Sequence, residues 1–110
     1  MKIGVVTFPG SLDDRDAQRA ARLAGAEVTP LWHADDSLHD VDAVVLVAPT
    51  RLHRDYIAAV AAAGNPLFTE KPLAPTYPVV REIVDLVHRA GIPVQVGFQS
   101  RYQPLFRHAR

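Results

Sequence analysis

An α/β fold, a three-layer αβα sandwich around a five-stranded parallel sheet, is what this sequence predicts, and three observations predict it. The stretch Ala43-Val44-Val45-Leu46-Val47-Ala48, preceded by Val41-Asp42, is a continuous apolar run with Pro49-Thr50 and a helical pattern directly after it. That is the pattern of a strand buried on both faces of a parallel sheet. Short β-rich runs and helical patterns alternate along the chain, which implies β-α-β units with right-handed crossovers. Pro30 lies inside the second β-rich run, where it removes a ladder donor and places that strand at a sheet edge. With the second strand at an edge and the third beside the first, the order is 2-1-3-4-5.

Taken in order, Lys2 to Phe8 is a β-rich run that Pro9-Gly10 ends, so the first strand reaches a loop there. Ser11 is positioned to cap a first helix, and Asp13 and Asp14 in its first turn suit the positive end of the helix dipole. Ala17, Ala20, Ala21 and Ala24 recur at helical spacing, a stripe of small residues that lets the helix lie close to the sheet, and Gly25 stops it. Ala26 to Trp32 is the second strand, and His33 to Asp40 is a polar connector with room for one helical turn. The third strand begins at about Ala43. Thr50 is a candidate cap for a second helix over Arg51 to Ala63, in which Leu52, Tyr56, Ile57 and Val60 share a face and Gly64 ends the run. Pro66 to Thr69 is the fourth strand, and Glu70 to Pro75 a proline-bearing loop. A third helix starts at Thr76 or Tyr77, with Pro78 tolerated in its first turn. Val79, Val80, Ile83, Val84, Leu86 and Val87 form its apolar face, and Gly91 closes it. Ile92 to Phe98 is the fifth strand. Gln99 to Arg110 is basic and contains Pro104; it either forms a short helix packed through Leu105 and Phe106 or frays. The resulting order is the flavodoxin-like arrangement.

Composition narrows the function. At 110 residues the chain is expected to be a single domain, long enough to bury roughly 60 to 70% of the surface its unfolded form exposes. Twelve basic and twelve acidic side chains cancel, so charge points to neither nucleic acid nor an anionic membrane. No specific partner is expected, and the chain is expected to be a monomer. Cysteine is absent, which excludes a disulfide framework, a thiolate metal site and a cysteine nucleophile. No apolar run approaches the roughly 20 residues that span a bilayer, and Met1 leads directly into a strand without a signal-peptide layout. The expectation is a soluble, cytoplasmic protein.

Two resemblances emerge along the chain. Met1-Lys2-Ile3-Gly4-Val5-Val6-Thr7-Phe8-Pro9-Gly10-Ser11-Leu12-Asp13-Asp14-Arg15-Asp16, and later Pro30-Leu31-Trp32-His33, resemble the start of the glutamine amidotransferase subunit of phosphoribosylformylglycinamidine synthase, over residues 1 to about 46. That resemblance implies a class I amidotransferase with a flavodoxin-like sheet, whose glutamine hydrolysis uses a cysteine, a histidine and a glutamate further along. A thioester intermediate needs a sulfur nucleophile, and this chain has none.

From about Asp42 to Arg110 the chain is similar instead to the Gfo/Idh/MocA oxidoreductases of the inositol dehydrogenase type. The residues that carry this are Asp42-Ala43-Val44-Val45-Leu46-Val47-Ala48-Pro49-Thr50, His53, Ala63-Gly64-Asn65-Pro66-Leu67-Phe68-Thr69-Glu70-Lys71-Pro72-Leu73-Ala74 and Gln95-Val96-Gly97-Phe98-Gln99. The resemblance implies the second part of a nicotinamide dinucleotide-binding Rossmann domain. In that family the lysine lies near nicotinamide and substrate, the lysine-proline bond is often cis, and the Pro-Thr loop lines the cofactor cleft. Those roles fall on Lys71, Pro72, Pro49 and Thr50, with Glu70 and Gln99 as weaker candidates. The sheet is thus a flavodoxin-like and Rossmann-like hybrid.

Two departures from the dehydrogenase pattern shape the expected function. A dinucleotide fingerprint needs three glycines so that a pyrophosphate can sit on the first helix, whereas this turn offers Gly10 and then Asp13 and Asp14. A carboxylate about 4 Å from a phosphate costs about 1 kcal/mol in water and about 4 at an effective dielectric of 20. The chain also reaches Arg110 where the family passes into a substrate domain. The reading is therefore an engineered chimera of two related sheets, with no catalytic residues, no enzyme activity and no cofactor. The alternative is a module that retains weak affinity for NAD(P) or another nucleotide. Thr50 with Arg51 and Arg54 also forms a helix start that attracts an anion such as sulfate. His33, Asp35, Asp36 and His39 are metal ligands in type, but their spacing matches no recognised site, so they read as a polar loop and no metal is expected.

Overall fold

A computed structural model of the chain describes residues 1–11 and 13–108. Strands β1 (Lys2–Thr7), β2 (Glu27–Trp32), β3 (Ala43–Leu46), β4 (Leu67–Thr69) and β5 (Val94–Val96) form one parallel sheet in the order β2-β1-β3-β4-β5. Pro30 sits in the edge strand, opposite Val5 of β1, so its missing donor leaves no gap inside the sheet. Gly4 is required where β1 meets β2, because a Cβ there would lie 2.5 Å from Leu31 Cδ1.

The period-two alternation of the strands divides their side chains between two faces. Val6, Val44, Leu46 and Leu67 point toward α2 (His53–Ala62) and α3 (Tyr77–Ala90), where they form the core with Ile57, Val60 and Ile83. The alternate row, Val5-Val45-Phe68-Gln95, faces the other way. There α1 (Asp13–Leu23) packs on β1 and β2, so Val5 is fully buried while Phe68 remains 36% exposed. The third layer is therefore a single helix over half of its face.

Local chemistry explains where elements begin and stop, and where they depart from expectation. The buried or half-buried side of α1 is Asp14, Ala17, Gln18 and Ala21, with Ala20 and Ala24 exposed. Half of the alanine stripe thus turns outward, because the chain enters this helix with Asp14 facing the sheet. Ser11, the expected cap, closes a turn by donating its backbone N–H to Phe8 O at 3.2 Å; the residue between it and α1 lies outside the described residues.

The connector 33–42 contains no helical turn. Instead His39 and Asp40 take left-handed backbone conformations, with φ of 50° and 53°, which no continuing helix accepts. Thr50 does not cap α2: the chain leaves β3 through a 3₁₀ turn, Thr50–Leu52, in which Leu52 N–H donates to Pro49 O at 2.8 Å and no side chain caps. By contrast α3 starts after Thr76 with Pro78 in its first turn and ends at Gly91, whose φ of 67° supplies the left-handed cap. β5 is shorter than expected, since Pro93 has no N–H to enter the ladder and the chain turns at Phe98, whose N–H donates to Val96 O at 2.8 Å. A second 3₁₀ turn, Gln99–Tyr102, leads to α4 (Pro104–His108). There Leu105 is 77% exposed rather than packed, and the Phe106 side chain and residues 109–110 lie outside the described residues. No helix among the described residues is long and apolar enough to cross a membrane.

Candidate functional site

In the order β2-β1-β3 the chain leaves β1 toward one edge and β3 toward the other, so their carboxyl ends diverge, and such a switch point is where open α/β sheets hold ligands. Here the divergence opens a cleft of about 520 Å³. One side is the turn after β1, where Gly10 adopts φ of 77°. The floor is Val47 and Ala48, and the other side is Pro49, Glu70 and Lys71. Pro49 and Lys71, singled out from the sequence on different loops, are thus brought together, with Glu70 beside them. Thr50 and Pro72 follow these residues without lining the cleft, and Gln99 stands in the second 3₁₀ turn, also away from it.

The Glu70 backbone N–H extends the sheet by donating to Leu46 O at 3.2 Å, and its carboxylate accepts the Lys71 N–H at 3.1 Å. Glu70 is thereby folded back on its own loop, and the Lys71 ammonium stays exposed. The Lys71–Pro72 bond is cis.

Beneath the cleft lies a residue that the sequence singled out only as part of the dehydrogenase resemblance. His53 is fully buried, with Nε2 2.9 Å from Ala48 O and Nδ1 3.2 Å from Leu73 O. Both partners are carbonyl acceptors, and a neutral imidazole carries one N–H, so in that form the ring donates to one of the two while it still spans from the loop after β3 to the loop after β4. The available signal was its spacing: His53, Ile57 and Val60 fall on one helical face. Thr69, at the end of β4, is also fully buried, and its hydroxyl has no partner among the described residues.

The α1 side differs in charge. Asp13 lines the cleft, and Asp14, only 8% exposed, accepts the Arg15 N–H at 2.8 Å. The first turn of the helix therefore already holds a carboxylate of its own. Other candidates disperse. His39 Nε2 lies 3.2 Å from Asp35 Oδ2 while the His33 ring stacks on Phe8, and among the described residues no three His, Asp or Glu gather as metal ligands do. Arg54 turns away from the helix start to pair with Glu82 of α3 and with Asp55, which raises its pKa above the ordinary value, chiefly through the hydrogen bond to Glu82.

Comparison with known proteins agrees with this architecture. Residues 11–98 match the model of the oxidoreductase family with an NAD-binding Rossmann fold. The chain is also 48% identical over 104 residues to phosphoribosylformylglycinamidine synthase subunit PurQ of Streptomyces coelicolor, across 94% of this chain and 40% of that protein. Among solved structures, a dehydrogenase (MviM) from Clostridium difficile superposes with a TM-score of 0.81 at 20% identity, over 97% of this chain and 42% of that one. A scyllo-inositol dehydrogenase from Lactobacillus casei, solved with NAD(H) and scyllo-inositol, gives a TM-score of 0.68 at 22% identity, over 98% of this chain and 39% of that one. The chain thus spans about two fifths of the length of these relatives. The two similarities overlap along the chain, each extending well beyond the stretch of sequence that first suggested it.

These matches correct two expectations. The chain was expected to be no enzyme because it lacks a cysteine and a substrate domain; the missing thiol bears on glutamine hydrolysis alone, while the family match is to oxidoreductases and overturns that expectation. An expectation of no cofactor is equally unsupported, since the matching family is NAD-binding. On the strength of a match that covers most of its length, the chain belongs to the oxidoreductase family with an NAD-binding Rossmann fold.

Proposed function

We propose that this chain is the cofactor-binding part of an oxidoreductase, with its cleft taking NAD(P) chiefly through the loops that follow β3 and β4. The observation that carries the reading is the cleft itself, which sets Pro49 and Lys71 at the switch point. When bound, the cofactor supplies a hydride donor or acceptor; the chain's own part is to hold and orient it. Pro49 and Ala48 offer apolar surface for a flat ring, and Lys71 offers a cation beside it. His53 keeps the two loops at a constant spacing.

The fit is uneven. The β3 and β4 loops suit a nicotinamide ring, but the α1 turn does not suit a pyrophosphate. A Cβ built on Gly10 meets nothing within 4 Å, so no tight backbone cradle is formed there, and Asp13 and Asp14 add negative charge. Affinity is accordingly expected to be weak and limited by those carboxylates.

Thermal unfolding with millimolar NAD(H) or NADP(H) tests this, because a ligand that binds the folded state raises stability by RT ln(1 + [L]/Kd). A saturable rise in Tm is expected, lost in Lys71→Ala and enlarged in Asp13→Asn, whose affinity should be about fivefold tighter for a relief of about 1 kcal/mol. A cooperative transition unmoved by any of the four nucleotides would sink the reading.

A second reading concerns origin: the chain joins segments of two ancestries, supported by its double likeness to PurQ and to the oxidoreductases. A single natural protein matching both halves at equal, high identity is the finding that would remove it.

A further inference from the structure

The connection from β2 to β3 is the crossover that carries no helix, whereas those leaving β1, β3 and β4 carry helices of 11, 10 and 14 residues. It runs over the sheet face that α2 also covers. An extended loop cannot occupy the 10–12 Å or so that a helix fills, and a cavity of about 400 Å³ remains between connector and α2. Volumes in this range are typical of small-molecule sites.

The interior is apolar. Val6, Leu31 and Val60, at 4%, 2% and 2% exposure, form its base, and between Tyr56 and Val60 the α2 wall carries only the small side chain of Ala59, which leaves the space open. A screen of rings closes it off from the cofactor cleft: Phe8 stacks on His33 at 5.1 Å and meets Tyr56 edge-on at 5.3 Å, while Tyr56 Oη donates to His33 O at 2.9 Å. Phe8 lines the cleft, and His33 and Tyr56 line the cavity. The two spaces are therefore neighbours with separate openings.

At its mouth stands Trp32, 47% exposed, its ring 4.6 Å from that of His33. Asp35 and Asp36 also line it. One Asp35 oxygen accepts the Trp32 backbone N–H at 3.0 Å and contacts His39 at 3.2 Å, while the Asp36 carboxylate has no hydrogen bond among the described residues. An indole face and carboxylates both favour a cation, and the dry base favours a hydrocarbon ring.

We propose that this cavity is a binding site for an arylalkylamine, its ring on Val6, Leu31 and Val60 and its ammonium at the mouth between Trp32 and Asp36. The site is independent of the cofactor cleft.

Trp32 is the single tryptophan of the chain, so its emission reports on the mouth directly. The probes are 2-phenylethylamine, 2-phenylethanol and 3-phenylpropionate, which share a ring and differ in charge. Titration with the amine should give a saturable change in emission, with the alcohol weaker and the acid weakest. Asp36→Asn, which leaves the Asp35 contacts intact, should weaken the amine about two- to fivefold and leave the alcohol unchanged. Ala59→Phe should fill the cavity and abolish saturation for all three. Because that variant could perturb the fold, amide chemical shifts of Val6, Leu31 and Val60 in the unaltered chain provide a second reading and should move with the amine. A linear, unsaturable change, equal binding of the acid, or shifts confined to residues far from the cavity would each overturn the proposal.

Discussion

His53 and Thr69 are both buried polar side chains, one a ring set between two carbonyl acceptors and the other a hydroxyl with no partner among the described residues. Replacing His53 by Leu keeps much of the volume but removes the ring N–H that the Ala48 or the Leu73 carbonyl accepts. A buried polar group left unpaired costs about 1–3 kcal/mol, so His53→Leu should lower stability by about that amount, read from the urea midpoint. The expected sign is opposite at Thr69. Exchanging its unpartnered hydroxyl for a methyl in Thr69→Val removes a desolvation cost and loses no hydrogen bond, and a gain of up to about 1 kcal/mol is expected in the same measurement. A lower midpoint for the Val variant would mean that a partner for Oγ1 exists in solution. Neither role is legible in sequence. The carbonyls that His53 reaches lie 5 and 20 residues away, and only the folded loops bring them to one ring.

At the level of elements, the tie between the end of β2 and α2 is sensitive to pH. Tyr56 donates to His33 O, and burial pushes its phenol above the ordinary value of 10.0. The fold therefore favours the protonated phenol. Its contribution to stability is whole below the unfolded-state pKa and is lost as pH rises through the higher folded-state value. In denaturation at pH values from about 9 to 12, the unaltered chain should lose stability more steeply than Tyr56→Phe. Parallel curves would show that the phenol makes no such contribution. Element identity itself was largely readable: Gly91 and Pro78 mark the limits of α3, and Pro30 marks the edge strand. Element entrances were less so. Thr50 looks like a cap because of its side chain, yet the tight Pro49-to-Leu52 hydrogen bond decides the geometry. Asp14 looks like a solvated first-turn acid, yet the direction from which α1 is entered turns it inward.

Across the whole molecule, the strand order followed from short connections and one proline, and the cleft followed from the order. What motif reading supplied was Pro49 and Lys71 as members of one site; what it did not supply was the geometry, because Thr50 and Pro72 are their sequence neighbours and still stand outside the cleft. The helix-free crossover was visible as a polar stretch, but the space it leaves depends on how far α2 stands from β1. The unequal cover of the sheet has a further consequence, for how the chain tolerates change. Along β3 and β4, Val44, Leu46 and Leu67 are closed in by α2 and α3, whereas Val45 and Phe68 look toward the half-open face. Saturation mutagenesis scored by a folding reporter should therefore show alternating columns, with polar residues rejected at 44, 46 and 67 and accepted at 45 and 68. Uniform rejection at all five positions would mean that something covers that face in the folding cell. Evolution of this sheet is then free on every second residue of two strands, and constrained on the residues between them.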